Sequence, residues 1–263
     1  MFRLATEPQS IGKVLDAGIR LFAAGFTKVI GLSLVSALLA VPLGVASVFF
    51  EDPTKPPGTQ FFIWFFVGLL LTMLVSITIY NAIVHRLWGV ANNSDRGLSP
   101  SIERALATLL PTLGSALLYF LAVMGGTLLL IIPGIIFTLS MMFFIVAIVV
   151  DRAGPVQALA LSRKLVKGNW WRTATVISVP AFVLIGFFLI VMFGIGVFAG
   201  LSGNAEALQG FQANLIMQLV QSLFNSVTTP FFTAVYLLLY HDLKLRKQGA
   251  DLHARVDALA RSP

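Results

Sequence analysis

The residues that could carry out catalysis are few, and they lie at opposite ends of long apolar segments. Ser202 stands in a Gly-x-Ser-Gly pattern at 200–203, which supplies the nucleophile in some intramembrane proteases. Such a serine needs a histidine base within hydrogen-bonding reach. His85, His241 and His253 all fall at the other ends of the apolar segments. No cysteine is present, and no cluster of histidine and acidic residues has metal-ligand spacing. We therefore predict no catalytic residues, no metal, no cofactor and no enzymatic activity.

The apolar segments set the class of protein. The chain of 263 residues is 57% hydrophobic and 11% charged, whereas soluble domains are about 25% charged. No ionisable residue lies in the middle of an apolar segment, which argues against a proton relay. The sequence predicts an all-α fold, a polytopic bundle of six transmembrane helices forming one domain over residues 1–263. Each segment can cross about 30 Å of hydrocarbon, and they lie at about residues 29–50, 61–84, 112–131, 134–150, 173–201 and 213–240.

Lysine and arginine are sorted to one side of this bundle. Of the 18 cations, all but Lys55 fall before the first segment, between the second and third, between the fourth and fifth, or after the sixth. Cytoplasmic loops retain an excess of Lys and Arg. We therefore predict a bacterial inner-membrane protein with both termini in the cytoplasm and a cytoplasmic tail over 241–263.

The stretch RKLVKGNWWR at 163–172 joins cations to two tryptophans just before the fifth segment. Tryptophan prefers the headgroup level, and juxtamembrane cations attract anionic lipid. A nucleic-acid surface would need a soluble platform, and none is evident, so we expect membrane lipids with anionic headgroups as partners and no nucleic acid. The predicted lipid-headgroup border comprises Arg20, Lys28, Arg163, Lys164, Lys167, Trp170, Trp171, Arg172, Lys244, Arg246 and Lys247.

Three segments that precede odd-numbered spans resemble one another, at residues 10–28, 99–110 and 154–172. Their apolar residues recur at helical spacing with charges elsewhere, which is typical of helices at a membrane interface. We predict a short cytoplasmic interfacial helix before spans one, three and five. A collar that anchors the bundle is one interpretation, and recruitment of lipid is the other.

Polar residues collect on the sixth span at three- and four-residue spacing, and Asn81 on the second span could meet them. One interpretation is interhelical hydrogen bonding, worth about 1 kcal/mol for each bond. The other is a cavity that holds a lipid headgroup or a small solute. Small residues elsewhere suit helix contacts within one chain or in a homo-oligomer, and the sequence does not choose between them. The predicted network or cavity comprises Asn81, Gln218, Gln221, Asn225, Thr229, Thr233 and Tyr236.

Two stretches resemble a known family. The first, IPGIIFTLSMMFFIVAIVVDRAGPVQALALSRKLVKGNWWR, is similar to its central signature, and TPFFTAVYLLLYHDLKLRKQGADL is similar to its closing signature. The family comprises the membrane domain fused to some bacterial glycerophosphoryl diester phosphodiesterases and stand-alone six-helix proteins of the YciC type, whose function is uncharacterised. The resemblance implies a six-helix inner-membrane protein. The phosphodiesterase catalytic barrel is absent from this chain, so the resemblance implies no hydrolase activity.

The sequence thus leads to two expected functions. The first is a non-enzymatic integral inner-membrane protein, a structural or accessory component of the envelope that engages lipid. The alternative is a transporter of lipid or a small solute, with its polar site on the sixth span.

Overall fold

The computed structural model describes residues 2–42, 58–94, 96–201 and 210–260, without the side chains of 199, 210–213 and 250–260. The described residues are helical and contain no strands, which confirms the all-α prediction. The helices are α1 Ile11–Leu39, α2 Thr59–Ala91, α3 Leu98–Ala107, α4 Leu109–Leu129, α5 Ile131–Met141, α6 Phe144–Asp151, α7 Pro155–Val166, α8 Trp170–Leu201 and α9 Gly210–Ala260.

Six helical stretches in the described residues are long and apolar enough to cross a membrane. They are α1, α2, α4, the combined α5 and α6, the part Trp170–Phe198 of α8, and the part Asn214–Gly249 of α9. The predicted polytopic bundle is confirmed. Residues 43–50 of the predicted first span, Lys55, and Ser202 lie outside the described residues.

The bundle has a packed zone and an apolar zone with little cover. The packed zone combines the first half of α1, the second half of α2, α6, α7 and part of α9, and it buries Leu21, Leu87 and Ile148 completely or almost so. In the other zone large apolar side chains point outward, such as Leu128 and Phe193, at 79% and 75% exposure. Contiguous apolar surface of this extent is unfavourable in water, at about 25 cal/mol per Å². This zone therefore faces lipid.

The structure differs from the prediction at the first interfacial helix. The segment predicted at 10–28 is not separate from the first span, because α1 runs unbroken from Ile11, with Ser10 as its N-cap, to Leu39. The physical reason is one continuous buried stripe, which includes Gly18 against Val235 of α9 and Gly25 against Leu87 of α2. Short helices are present at the places where interfacial helices are predicted before spans three and five, namely α3 and α7.

The boundary between the third and fourth spans, predicted between residues 131 and 134, lies at Leu130 instead, where the backbone is extended with φ −165° and ψ 150°. Pro133 sits in the first turn of α5, where its missing N–H removes no helical hydrogen bond. Gly134 allows α5 to pass close to α4, because a Cβ there would lie 2.1 Å from Thr127 Oγ1.

Two further boundaries differ from expectation. The fourth span is interrupted between Met141 and Phe144, where Ser162 Oγ of α7 accepts the N–H of Phe143 at 3.1 Å and donates to Ser140 O at 2.9 Å. The side chain of Ser162 thereby satisfies backbone groups at the interruption. Towards the C-terminus, α9 does not end near residue 240 as the predicted sixth span does, but continues to Ala260.

Candidate functional site

Asn81 joins α2 to α3 and α4, and its described contacts do not include α9. Its Nδ2 donates to Thr108 Oγ1 at 3.2 Å and to Thr112 Oγ1 at 3.0 Å, and the residue is fully buried. Its Oδ1 is buried without a hydrogen-bond partner in the described part of the chain. Asn81 therefore contributes to packing between neighbouring helices, as the first interpretation of the polar residues expects.

The predicted polar stripe on α9 divides between buried and exposed sides. Thr233 is fully buried and donates to Thr229 O at 2.7 Å, and Tyr236 packs edge-on against Phe143 at a centroid distance of 6.4 Å. Gln221 and Asn225 are exposed on the outer surface. Gln218 is partly exposed. The stripe thus does not converge on one enclosed space among the described residues.

Two of the border arginines are held within the protein by a buried carboxylate. Asp242 is 3% exposed, and its Oδ2 accepts Arg172 Nε at 3.0 Å and Arg246 Nε at 2.9 Å. Its Oδ1 accepts the backbone N–H of Gln9 at 2.7 Å. Both arginines also donate to Gln9 O. The four residues connect α8, α9 and the segment before α1 through charge-assisted hydrogen bonds.

Two border lysines are also held internally. Lys244 Nζ lies 2.9 Å from both carboxylate oxygens of Asp151, which also accepts the hydroxyl of Tyr240. Lys247 Nζ donates to Lys167 O at 2.7 Å, just beyond the end of α7. These lysines therefore fasten α9 to the ends of α6 and α7.

Arg104 caps the C-terminal end of α6, although it was not among the predicted site residues. Its guanidinium donates to Ile148 O and to Val149 O, each at 3.1 Å, and so satisfies carbonyls in the last turn of α6. Burial lowers the pKa of Arg104, and the charges of Arg152 and Arg96 lower it further. An arginine stays protonated in proteins, so this cap keeps its charge.

The predicted border residues on α1 are Arg20 and Lys28, and both are exposed. Arg20 forms an exposed ion pair with Asp16 one turn earlier, at 2.9 Å. Lys28 is exposed on the same helix.

The three remaining border cations form what we call the basic rim: Arg163, Lys164 and Lys167. All three side chains are exposed, and none forms a hydrogen bond or ion pair through its side chain within the described ranges. Trp170 and Trp171 follow the rim after two intervening residues, edge to face with ring centroids 4.7 Å apart, and Trp171 is 78% exposed. The rim borders a groove of about 1140 Å³ between α5, α7 and the start of α8.

The histidines take part in local hydrogen bonds. His85 Nδ1 lies 3.1 Å from Ser101 Oγ, and His241 Nε2 lies 2.9 Å from Ala5 O. In the described residues no group of three or more His, Asp or Glu side chains could hold a metal ion. Ser202 and the side chain of His253 lie outside what the structure describes.

The sequence analysis did not predict the acceptor groups that bind some of the border cations inside the protein. Asp151 and Asp242 each end an apolar run next to cations, which is a usable signal for local pairing. The role of Gln9 had no such signal, because its backbone meets Asp242 across 233 positions of sequence. The basic rim could be recognised only after the structure had shown which of the other border cations are bound by Asp151, Asp242 and Gln9.

The six long apolar helical stretches indicate a multi-pass helical membrane protein. Residues 102–243, more than half of the chain, match the family described as a domain of unknown function (DUF7847), and the chain belongs to that family. No curated protein and no solved structure matches the chain. The family match shows no link to glycerophosphoryl diester phosphodiesterases or to the YciC type, so that resemblance stays a prediction.

Proposed function

We propose that this protein is a non-enzymatic component of the bacterial inner membrane, with a structural or accessory role, that engages anionic lipid at its cytoplasmic side. Its packed zone lies at the cytoplasmic leaflet, and both termini are on that side. The cation distribution along the sequence supports this orientation.

One observation carries the lipid part of this proposal, namely the difference between the basic rim and the other border cations. Arg172 and Arg246 share Asp242, and Lys244 is paired with Asp151. The basic rim has exposed charges without such internal acceptors in the described residues. Each basic residue near an anionic membrane surface contributes about 1 kcal/mol of attraction. The rim therefore favours contact with anionic headgroups.

The alternative of a transporter with a polar site on the sixth span has less support. It needs Gln221 and Asn225 to face an enclosed polar space, and both residues are exposed. Thr233 and Tyr236 are engaged with neighbouring groups. The buried polar groups of the bundle thus favour helix packing.

A titration with lipid tests the proposed function. A ligand that binds the folded state stabilises it by mass action. We expect phosphatidylglycerol to raise the thermal midpoint of the purified protein in micelles more than phosphatidylcholine does, with a smaller rise at high salt. Changing all three rim residues to glutamine should remove most of the difference, while Lys13→Gln, at an exposed cation of α1 outside the predicted border, should keep it. Equal effects of the two lipids on the unaltered protein would contradict the proposal.

A further inference from the structure

The groove beside the basic rim has apolar walls and opens to the exterior. Ile132, Ile135 and Ile136 of α5 line one side, and Leu159 and Ala160 of α7 line another. Ile132 is 69% exposed, and Ile135 and Ile136 are 49% and 44% exposed. An apolar wall that remains this open within the lipid-facing zone suits a hydrocarbon chain.

The dimensions of the groove match one leaflet of a bilayer. From Ile132 to Met141, both of which line the groove, α5 rises about 14 Å at 1.5 Å per residue. The hydrocarbon core of a bilayer is about 30 Å thick, so each leaflet supplies about 15 Å. A single acyl chain of ordinary length can therefore follow α5 within its own leaflet.

Charge accumulates at the rim end of the groove. Arg163, Lys164 and Lys167 all line it, within the last turn of α7 and directly after it. The carbonyls at the end of a helix carry a partial negative charge of about half a unit, and Lys247 already donates to Lys167 O. The charge of the three rim cations exceeds this partial negative charge, so the rim is positive overall. It therefore favours an anion with several acceptor oxygens, such as a phosphate.

The tryptophans at the same end add a second kind of contact. Trp170 and Trp171 both line the groove, and an indole prefers the level of the headgroups and ester groups. The two indole rings can therefore contact the ester region of a lipid at the rim end of the groove.

From these contacts we infer that the groove is a discrete site for one anionic phospholipid molecule. Its phosphate is bound by the basic rim, its ester region lies beside Trp170, and an acyl chain lies along Ile132, Ile135 and Ile136. This inference rests on the proposed function and adds a defined position, a stoichiometry of one, and a requirement for both the apolar wall and the charges.

Native mass spectrometry of protein released from micelles tests the site, with equimolar phosphatidylglycerol and phosphatidylcholine of identical acyl chains as the probes. We expect one retained phosphatidylglycerol per chain. Ile136→Trp, which fills the groove and leaves the rim intact, should reduce this adduct at least tenfold. Leu117→Trp is the matched control, because Leu117 is 60% exposed on α4 and does not line the groove. It should keep the adduct.

A second arm of the same experiment separates the headgroup from the chain. With all three rim residues changed to glutamine, retention should no longer favour phosphatidylglycerol, whereas Lys13→Gln, at an exposed cation of α1 outside both the predicted border and the groove, should leave the preference unchanged. Thermal midpoints that match the unaltered protein show that each variant is folded, and Ile135→Trp replaces Ile136→Trp if the latter unfolds.

The outcomes distinguish this site from the broader proposal. An adduct that survives in the folded groove-filling variant, but still depends on the rim charges, overturns the groove site and leaves the proposed function standing. An unaltered protein with no preference between the two lipids overturns both. Variable numbers of retained lipids, independent of every variant, indicate loosely held surrounding lipid and also overturn the discrete site.

Discussion

Arg172 and Asp242 meet in an ion pair of 3.0 Å, although 70 positions of sequence separate them. Asp242 is nearly inaccessible, and Arg246 and the backbone of Gln9 complete its surroundings. The pair therefore does more than join α8 to α9. It also holds the segment before α1 against the packed zone of the bundle.

Removing the charge of Asp242 should destabilise the protein markedly. In the Asp242→Asn variant, two partly buried guanidiniums lose their shared carboxylate, and loss of one partner of a buried pair costs about 3 kcal/mol. The measurement is the free energy of unfolding in micelles, from a denaturant titration. Asp16→Asn is the matched control, because Asp16 pairs with Arg20 while 62% of its side chain is exposed. Such exposed pairs contribute about 0.3–0.5 kcal/mol, so equal losses in the two variants would contradict this role of Asp242.

The close approach of α4 and α5 makes a second prediction about packing. Gly134→Ala places a Cβ 2.1 Å from Thr127 Oγ1 and 3.1 Å from Thr127 Cα, so backbone as well as side chain must shift. We expect a loss of about 1–3 kcal/mol in the free energy of unfolding. At Gly125 nothing lies within 4 Å of an added Cβ, and Gly125→Ala should be neutral or slightly stabilising. A Gly134→Ala variant as stable as Gly125→Ala would show that the two helices do not meet as described.

Asparagine residues on α2 and α9 should respond differently to the same substitution. Asn81→Leu removes two hydrogen bonds to Thr108 and Thr112 from a fully buried position, at a cost of about 1–3 kcal/mol. Asn225→Leu changes an exposed side chain in the lipid-facing zone and should leave the thermal midpoint unchanged or raise it. If Asn225→Leu instead lost as much stability as Asn81→Leu, Asn225 would have a buried polar partner, and the transporter alternative would regain support.

The sequence was sufficient for features that depend on local composition. The apolar lengths, the absence of ionisable residues within them and the caps of short helices predict the all-α bundle, including α3 and α7. The continuity of α1 had a signal too, because the buried positions from Val14 to Ser33 keep one helical spacing through Lys28. The charged residues on the opposite face of this helix obscured that spacing.

The division of the border cations could not be read from the sequence. Arg172 and Lys167 have the same local surroundings of cations, tryptophan and apolar residues. Only the fold brings Asp242 and Gln9 to Arg172 and leaves the rim side chains without a described partner. The interruption at Phe143 is similar, since it depends on Ser162, which lies 19 residues further along the chain.

The side of the membrane that carries the cations is the claim on which the account depends, and cysteine labelling tests it most directly. The chain has no cysteine, so one introduced cysteine reports its own position. Glu103 is exposed on α3, and Glu206, outside the described residues, lies between the fifth and sixth apolar segments of the sequence. We predict that an impermeant maleimide labels Glu206→Cys in intact spheroplasts and labels Glu103→Cys only after permeabilisation. Labelling of Glu103→Cys in intact spheroplasts, with Glu206→Cys protected, would contradict the account.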